Sequence, residues 1–234
     1  MLVRNSITIV ASPRPRVGKT LLARLVSDFH LQEGRSVAAF DLNVGNATLA
    51  QFLPEHVTQS TINDLKGQMA LFDRLIADDG ATKIVDLGHA PFEPFFTLAH
   101  QFGFAGETHS RGIALVILYL LTPDHTSVEA YRSVSSRLPE AVMAPVHNEI
   151  FGVSQHRGRY GLTINAIVIR IPLLAPAMRK YVETPPFSFA ELQSPGGDVD
   201  IDIELQHWFR QTYLQFRELY LRILLTDLKS SIGF

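Results

Sequence analysis

Short apolar runs alternate with segments of helical periodicity along most of the chain. The runs are rich in Val, Ile and Leu, which is typical of strands in a parallel sheet whose two faces are covered by helices. The pattern therefore predicts an α/β fold, a three-layer sandwich with a mostly parallel sheet and helices on both of its faces. The predicted strands are Ile7–Ala11, Ser36–Asp41, Lys83–Asp86, Ile113–Leu121, Ala141–His147 and Thr163–Ile171.

Helices are predicted between several of these strands. The first begins near Gly18 and ends before Gly34, because glycine is common just after a helix C-terminus. Further helices are predicted at Thr61–Asp78 and at Asp124–Leu138. The carboxylate of Asp124 is suited to cap the N-terminus of the second of these.

A long amphipathic helix is predicted over about 201–228, beyond a loop predicted at Asn148–Gly161. Its apolar face is rich in aromatic residues and its polar face carries both acidic and basic residues. We therefore favour a helix docked on the core over a membrane-surface or partner-binding helix. The sequence shows no domain linker, the nearest candidate being Ser194–Asp198, and we expect residues 1–234 to form a single domain. The apolar positions of the helix are Leu205, Trp208, Phe209, Phe216, Leu219, Tyr220, Ile223 and Leu224.

The composition restricts the class of protein. The 234 residues carry a net charge of -2, so there is no global basic field to drive binding to nucleic acid. Cysteine is absent, which excludes disulfides and thiolate metal sites and suits a reducing compartment. The N-terminus has no signal-peptide pattern, and the longest apolar run is far below the roughly 20 residues of a membrane-spanning helix. We therefore expect a cytoplasmic protein.

The segment Ser12–Thr20, with the sequence S-P-R-P-R-V-G-K-T, lies between the first predicted strand and the first predicted helix. Gly18 lets backbone N–H groups approach phosphate oxygens, and the ammonium of Lys19 suits the β and γ phosphates. The hydroxyl of Thr20 suits Mg²⁺. Pro13 replaces the first glycine of the usual G-x-x-x-x-G-K-[ST] motif. These residues predict a nucleotide-binding loop.

This loop resembles the deviant Walker A motif of the ParA/MinD family of P-loop ATPases, K-G-G-x-G-K-[ST]. Arg14 occupies the position of the signature lysine, and Pro15 and Arg16 replace its two glycines. The resemblance implies a fold of the P-loop NTPase type that binds ATP and Mg²⁺. It also assigns nucleotide binding to this segment, namely to Arg14, Arg16, Val17, Gly18, Lys19, Thr20 and Leu21.

Two further segments resemble motifs of the same family. Val37–Leu49 is similar to the second motif, with Asp41 at its first aspartate position and Asn43 at its second. Ile84–Gly88 is similar to a Walker B strand that ends in Asp86. The resemblance implies that Asp41 and Asp86 bind Mg²⁺ together with Thr20.

The resemblance also assigns catalytic roles to Lys19, Asp41 and Asn43, and contact with adenine to Asn148. An amide at Asn43 can orient water but carries no charge to polarise it, so we expect slow or absent hydrolysis. Asp86 is the alternative acid that could polarise the attacking water in place of Asn43. The family implies a nucleotide switch that positions or partitions a cellular cargo, with a nucleotide-dependent homodimer. The nucleotide state of such a switch is recognised by a partner protein, DNA or a membrane surface.

Other readings stay open from the sequence. The loss of the glycines and the amide at Asn43 also fit a non-hydrolysing nucleotide-binding scaffold. The run Asn46–Leu49 resembles a segment of a plasmid conjugal-transfer accessory protein, and a P-loop small-molecule kinase is a further enzyme alternative. Zinc is set aside because no histidine pair has helical metal-site spacing with a third ligand. A serine hydrolase is set aside because no G-x-S-x-G turn is present.

Overall fold

Parallel strands form one seven-stranded sheet in the computed structural model, which describes residues 5–43, 48–152, 160–162, 167–189 and 199–232. The strand order is β3-β2-β4-β1-β5-β6-β7, and every neighbouring pair is parallel. The strands are β1 Ser6–Ala11, β2 Val37–Asp41, β3 Val57–Gln59, β4 Thr82–Asp86, β5 Ala114–Leu120, β6 Val142–Asn148 and β7 Ile169–Ile171.

The central position of β1 determines where a ligand can bind. Its neighbours are β4 on one side and β5 on the other, so the chain order reverses at this strand. A reversal of this kind opens a crevice at the carboxyl edge of a parallel sheet. All parallel strands end at that same edge, and the loop between β1 and the first helix lies there.

Helices cover both faces of the sheet, which confirms the predicted α/β sandwich. In the described part of the chain, no helix is long and apolar enough to cross a membrane. The helices are α1 Lys19–Gln32, α2 Thr48–Phe52, α3 Leu65–Ile76, α4 Phe92–Gln101, α5 Phe104–Ser110, α6 His125–Arg137, α7 Pro176–Val182 and α8 Val199–Ile232.

Two apolar clusters lie on opposite faces of the sheet because the strands are buried on both sides. On one face, Phe29 of α1 packs against Phe216 of α8, with ring centroids 5.6 Å apart. On the other face, Phe72 of α3 stacks on Phe95 of α4, with centroids 5.5 Å apart. Of the eight apolar residues of α8 that the sequence singles out, all except Leu224 belong to the first cluster or pack against it.

The structure shortens two predicted elements. The helix predicted at Thr61–Asp78 begins only at Leu65, because the carboxylate of Asp64 accepts a hydrogen bond from Gly67 N at 2.7 Å and caps the helix there. The strand predicted at Thr163–Ile171 is confined to Ile169–Ile171 among the described residues, where it pairs with the last three residues of β6. Residues 163–166 lie outside the described part.

The predicted loop at Asn148–Gly161 also differs at its start. Asn148 is the last residue of β6, and Glu149–Phe151 form a 3-10 turn. Residues 153–159 and the candidate linker Ser194–Asp198 lie outside the described residues.

Several short elements have no counterpart in the predicted set: α2, β3, α4, α5 and α7. Their apolar residues are few, or are interrupted by glycine and proline, so their periodicity is weak. In α4 the apolar residues are mostly phenylalanines around Pro94. Burial against the sheet stabilises such helices more than their intrinsic propensity does.

The α1 to α8 contact gives the first testable prediction. Phe216 is fully buried, so Phe216→Ala removes a large side chain and leaves a cavity. We expect the free energy of unfolding to fall by about 3 to 5 kcal/mol. Urea denaturation measures the change. Met69→Ala is the control, because Met69 is exposed on α3 and should alter stability by about 0.5 kcal/mol or less.

Candidate functional site

The loop between β1 and α1 forms a cradle at the carboxyl edge of the sheet. Gly18 has a φ of 96° and precedes the first residue of α1. This positive φ strains any residue other than glycine, and a Cβ atom here would also lie 2.7 Å from Nδ2 of Asn148. The first N–H groups of a helix have no partners within it, and they attract anions. The cradle is therefore suited to phosphate oxygens.

Lys19 lies at the floor of this cradle. It is only 7% exposed, and its ammonium donates a hydrogen bond to the carbonyl oxygen of Arg14 at 2.6 Å. Burial lowers the pKa of Lys19 to about 8, while the nearby negative charge of Asp86 partly opposes this shift. The side chain thus remains largely protonated at neutral pH, next to the start of α1.

Asp41 and Asp86 end adjacent strands and are register partners in the pairing of β2 with β4. The hydroxyl of Thr20 donates a hydrogen bond to Asp86 Oδ2 at 2.7 Å. The other oxygen of Asp86, Oδ1, is buried and has no hydrogen-bond partner among the described residues. Burial raises the pKa of Asp86 to about 7, and the negative charge of Asp41 adds to this effect.

Asn43 joins the two aspartates. Its Nδ2 donates to Asp41 Oδ1 at 2.7 Å and to Asp86 Oδ2 at 2.9 Å, and its backbone N–H donates to Asp41 Oδ1 at 3.0 Å. Asp41 Oδ2 accepts a further hydrogen bond from Leu49 N at 2.9 Å. Both N–H groups of the Asn43 amide are therefore committed to carboxylates, and its side chain has no group that takes up a proton.

The oxygen ligands at this edge fit Mg²⁺. Carboxylate and hydroxyl oxygens are its preferred donors, and Mg²⁺ is usually held by one or two carboxylates together with substrate phosphates. The unpartnered oxygen of Asp86 and the hydroxyl of Thr20 supply such donors. Within the described ranges, no cluster of three or more His, Asp or Glu side chains forms a separate metal site.

Two cavities flank the cradle. The first has a volume of about 710 Å³ and the second about 370 Å³. Gly18, Thr20 and Leu21 line both. The first is further lined by Pro15, Arg16, Val17, Lys19, Asn43, Thr48, Gly88, His89, Ala90 and Pro91. The second includes Arg16, Arg24, Phe52, Asn148, Ile171, Leu173 and Arg179 among its lining residues.

Asn148 therefore lies beside the cradle, in the wall of the second cavity. Its Nδ2 donates a hydrogen bond to the carbonyl oxygen of Val17 at 3.1 Å. Of the predicted site residues, Gly18, Lys19, Thr20, Asn43 and Asn148 are thus brought around one cradle, with Asp41 and Asp86 behind it.

Arg14 is not brought into either cavity. Its Nε donates to Asp124 Oδ1 at 3.0 Å, and its terminal nitrogen donates to the same oxygen at 2.5 Å. Asp124 also caps α6, where it accepts from Ser127 N at 3.1 Å. The hydrogen bond from Arg14 holds the pKa of Asp124 well below its usual range. Arg14 is therefore bound to its own chain.

Sequence reasoning missed several residues of this site. Thr48 lies with its hydroxyl 3.3 Å from that of Thr20, and Asp124 binds Arg14. His89 lies in the loop after β4 and lines the first cavity. Its position three residues after Asp86 is the signal that could have identified it.

The architecture of the chain, a parallel sheet with a phosphate cradle after its central strand, is similar to that of solved MinD proteins. No family model and no curated protein sequence matches the chain. Among solved structures, the MinC:MinD cell division protein complex of Aquifex aeolicus matches with a TM-score of 0.52 and 13% identity, over 91% of this chain and 96% of that chain. MinD cell division protein of Aquifex aeolicus matches with a TM-score of 0.52 and 11% identity, over 91% and 97% of the two chains. At this identity the likeness establishes the fold.

The buried carboxylate of Asp86 gives a pH-dependent prediction. Asp86→Asn keeps an oxygen for Thr20 and Asn43 but removes the charge. Because the pKa of Asp86 is raised from 3.8 to about 7, its ionisation destabilises the wild type as the pH rises through this interval. Without nucleotide or Mg²⁺, the two proteins should have equal Tm near pH 4, and the variant should be more stable by about 4 °C or more at pH 8.

Thermal unfolding followed by circular dichroism between pH 4 and pH 8 measures this difference. A gap in Tm that is constant over the whole pH range, or that favours the wild type at pH 8, contradicts the assignment of a buried, raised-pKa carboxyl.

Proposed function

We propose that the protein is an ATP- and magnesium-binding nucleotide switch of the ParA/MinD type. The observation that carries the proposal is the arrangement around Gly18. A helix N-terminus, a buried lysine and a threonine bound to a strand-end aspartate converge on one cavity. Phosphate needs the first two groups and a bound divalent cation needs the third.

All predicted site residues except Arg14 have a role in this proposal. The backbone from Arg16 to Leu21 surrounds the phosphates, and Lys19 exchanges its hydrogen bond with the Arg14 carbonyl for phosphate oxygens. Thr20 and Asp86 hold Mg²⁺, with Asp41 fixed beside them by its own hydrogen bonds. When bound, the ion would neutralise phosphate charge. Asn148, in the wall of the second cavity, meets the base.

Hydrolysis in this proposal is slow. The Asn43 amide is committed to Asp41 and Asp86 at 2.7 and 2.9 Å and has no proton-accepting group. It can only orient water through its oxygen. A slow ATPase suits a switch whose nucleotide state persists long enough for a partner to read it.

The proposal extends to the biological setting. The ParA/MinD-like fold and site support a cytoplasmic protein that positions or partitions a cargo. They also support a nucleotide-dependent homodimer read by a partner protein, DNA or a membrane surface. The predicted single P-loop NTPase domain belongs to the same proposal.

A non-hydrolysing scaffold is the second candidate, and two observations favour it. Asn43 replaces a charged group beside the cavity, and Arg14 is bound to Asp124 of its own chain rather than directed outward. Such a protein would retain ATP without turning it over.

The segment Asn46–Leu49 resembles a conjugal-transfer accessory protein. Its first two residues, Asn46 and Ala47, lie outside the described residues.

The nucleotide site is tested first by Lys19→Ala. Loss of the ammonium removes the only lysine that lines the described cavities, so ATP affinity in the presence of Mg²⁺ should fall on the order of 100-fold. Isothermal titration calorimetry measures the affinity. Lys66→Ala is the matched control, because Lys66 is exposed on α3 away from both cavities. The proposal fails if the wild type does not bind ATP or if both variants bind equally well.

Asn43→Asp separates the two candidates. The change removes two hydrogen bonds to carboxylates and adds a third negative charge, so the free protein should be less stable. With ATP and Mg²⁺ the new carboxylate can polarise water, and phosphate release should rise about tenfold or more over a slow wild-type rate. Brisk wild-type release rules out the scaffold. A variant that binds ATP without any gain in release rules out Asn43 as the cause of slow turnover.

A further inference from the structure

The side of α8 that faces away from the core carries an apolar stripe. Its residues are between 42% and 59% exposed. At about 100° per residue, they fall within an arc of about 60° on the helix surface. We call this set, together with the polar residues between its members, the α8 stripe. The apolar members are Ile203, Leu214, Leu221, Leu225 and Leu228.

Polar residues occupy the remaining turns of the α8 stripe. His207, Arg210 and Glu218 are exposed and lie on the same side of the helix. Arg210 has no ion-pair or hydrogen-bond partner within the described ranges. Glu218 pairs only with Arg222, four residues along the same helix, at 2.6 Å. Leu214 is therefore flanked by the cation Arg210 on one side and, on the other, by the anion Glu218, which is exposed and paired only within its own helix.

Two pairs of positions along the α8 stripe are symmetric about Leu214. Four residues away in opposite directions lie Arg210 and Glu218, which carry opposite charges. Eleven residues away in opposite directions lie Ile203 and Leu225, which are both apolar. A second copy of the helix, running antiparallel and centred on Leu214, would therefore place Arg210 opposite Glu218 and Ile203 opposite Leu225, while His207 would face Leu221.

We propose that the α8 stripe is the interface of a two-fold symmetric homodimer. The two copies of α8 pack antiparallel, Leu214 meets Leu214, Ile203 meets Leu225, and Arg210 pairs with Glu218 twice. A two-fold axis requires a self-complementary patch of this kind. The contact from Ile203 to Leu225 extends over about 33 Å of helix.

Charge complementarity selects a second copy as the occupant. The charged residues within the α8 stripe have opposite signs at matched distances from its centre, so the stripe complements itself when reversed. A membrane surface favours a basic polar face around an apolar one, and Glu218 and the exposed Glu204 do not provide it. The arrangement is that of an antiparallel helix pair with apolar and charged positions in one seam.

This dimer is separate from the proposed nucleotide function. No residue of the α8 stripe lines either cavity beside Gly18. The interface should therefore form without ATP and should persist when Lys19 is replaced. Failure of the nucleotide site and failure of this interface are consequently distinguishable.

Sedimentation velocity of the full chain, without nucleotide, tests the proposal. The wild type should be dimeric at micromolar concentration. Leu214→Glu should weaken dimerisation on the order of 100-fold, because the two-fold axis places two new carboxylates against each other. Leu65→Glu is the matched control, since Leu65 is an exposed leucine of α3, and should leave the dimer intact. Circular dichroism checks that each variant remains folded.

Charge reversal tests the register. Arg210→Glu and Glu218→Arg should each weaken the dimer about tenfold or more, because each places like charges opposite each other twice. The double variant should restore dimerisation, since the opposite charges then face each other again. A structural defect in α8 would not be rescued in this way.

Three outcomes overturn the proposal: a wild type that is monomeric at all concentrations, a dimer that survives Leu214→Glu, or a dimer that requires ATP and is lost with Lys19→Ala. A monomer that floats with vesicles of mixed zwitterionic and anionic lipids also overturns it and assigns the stripe to a membrane surface. Failure of the double charge reversal to restore the dimer overturns the antiparallel register centred on Leu214.

Discussion

A carboxylate buried at the end of β4 is the constraint on which the site depends. Asp86 lies at the carboxyl edge of the sheet, where strand burial excludes water and makes its charge costly. Thr20 and Asn43 each donate a hydrogen bond to one of its oxygens, and the other oxygen has no partner among the described residues. These contacts tie the start of α1 and the end of β2 to the same point, so the phosphate cradle and the acidic edge are held together.

The surroundings of Asp86 explain why the site is suited to a cation and an anion together. Lys19 is buried close to Asp86, and burial pulls the pKa values of the two groups toward neutrality. Phosphate stabilises the charged form of the lysine, and Mg²⁺ stabilises the charged form of the aspartate. Electrostatic strain in the free protein would thus be relieved by the pair of ligands that the cradle and edge are shaped to hold.

Two features depart from what the family resemblance implies. The resemblance assigns nucleotide binding to the cation at the signature position, whereas Arg14 binds Asp124 at the start of α6 in its own chain. The resemblance also places a carboxylate where Asn43 donates hydrogen bonds to both strand-end aspartates. Both changes leave the phosphate-binding residues in place. They concern dimerisation and hydrolysis.

The sequence predicted the sheet and the position of the cradle well, because buried parallel strands have a strong apolar signal and Gly18 to Thr20 form a recognisable motif. Contacts between distant segments could not be predicted. The ion pair of Arg14 with Asp124 joins residues that are far apart in the chain, and periodicity carries no information about it. His89 was missed although its position three residues after Asp86 places it in the loop beside the site. The short helices were missed because tertiary burial, rather than local pattern, stabilises them.

The central claim is that a nucleotide and Mg²⁺ share the edge formed by the cradle and Asp86. The most direct measurement is a crystal structure with a non-hydrolysable ATP analogue and Mn²⁺ in place of Mg²⁺, with the metal located by its anomalous scattering. The account predicts phosphates in the cradle at Gly18 and a metal peak beside the hydroxyl of Thr20 and the carboxylate of Asp86. A nucleotide bound elsewhere, or an anomalous peak remote from these two side chains, would contradict it.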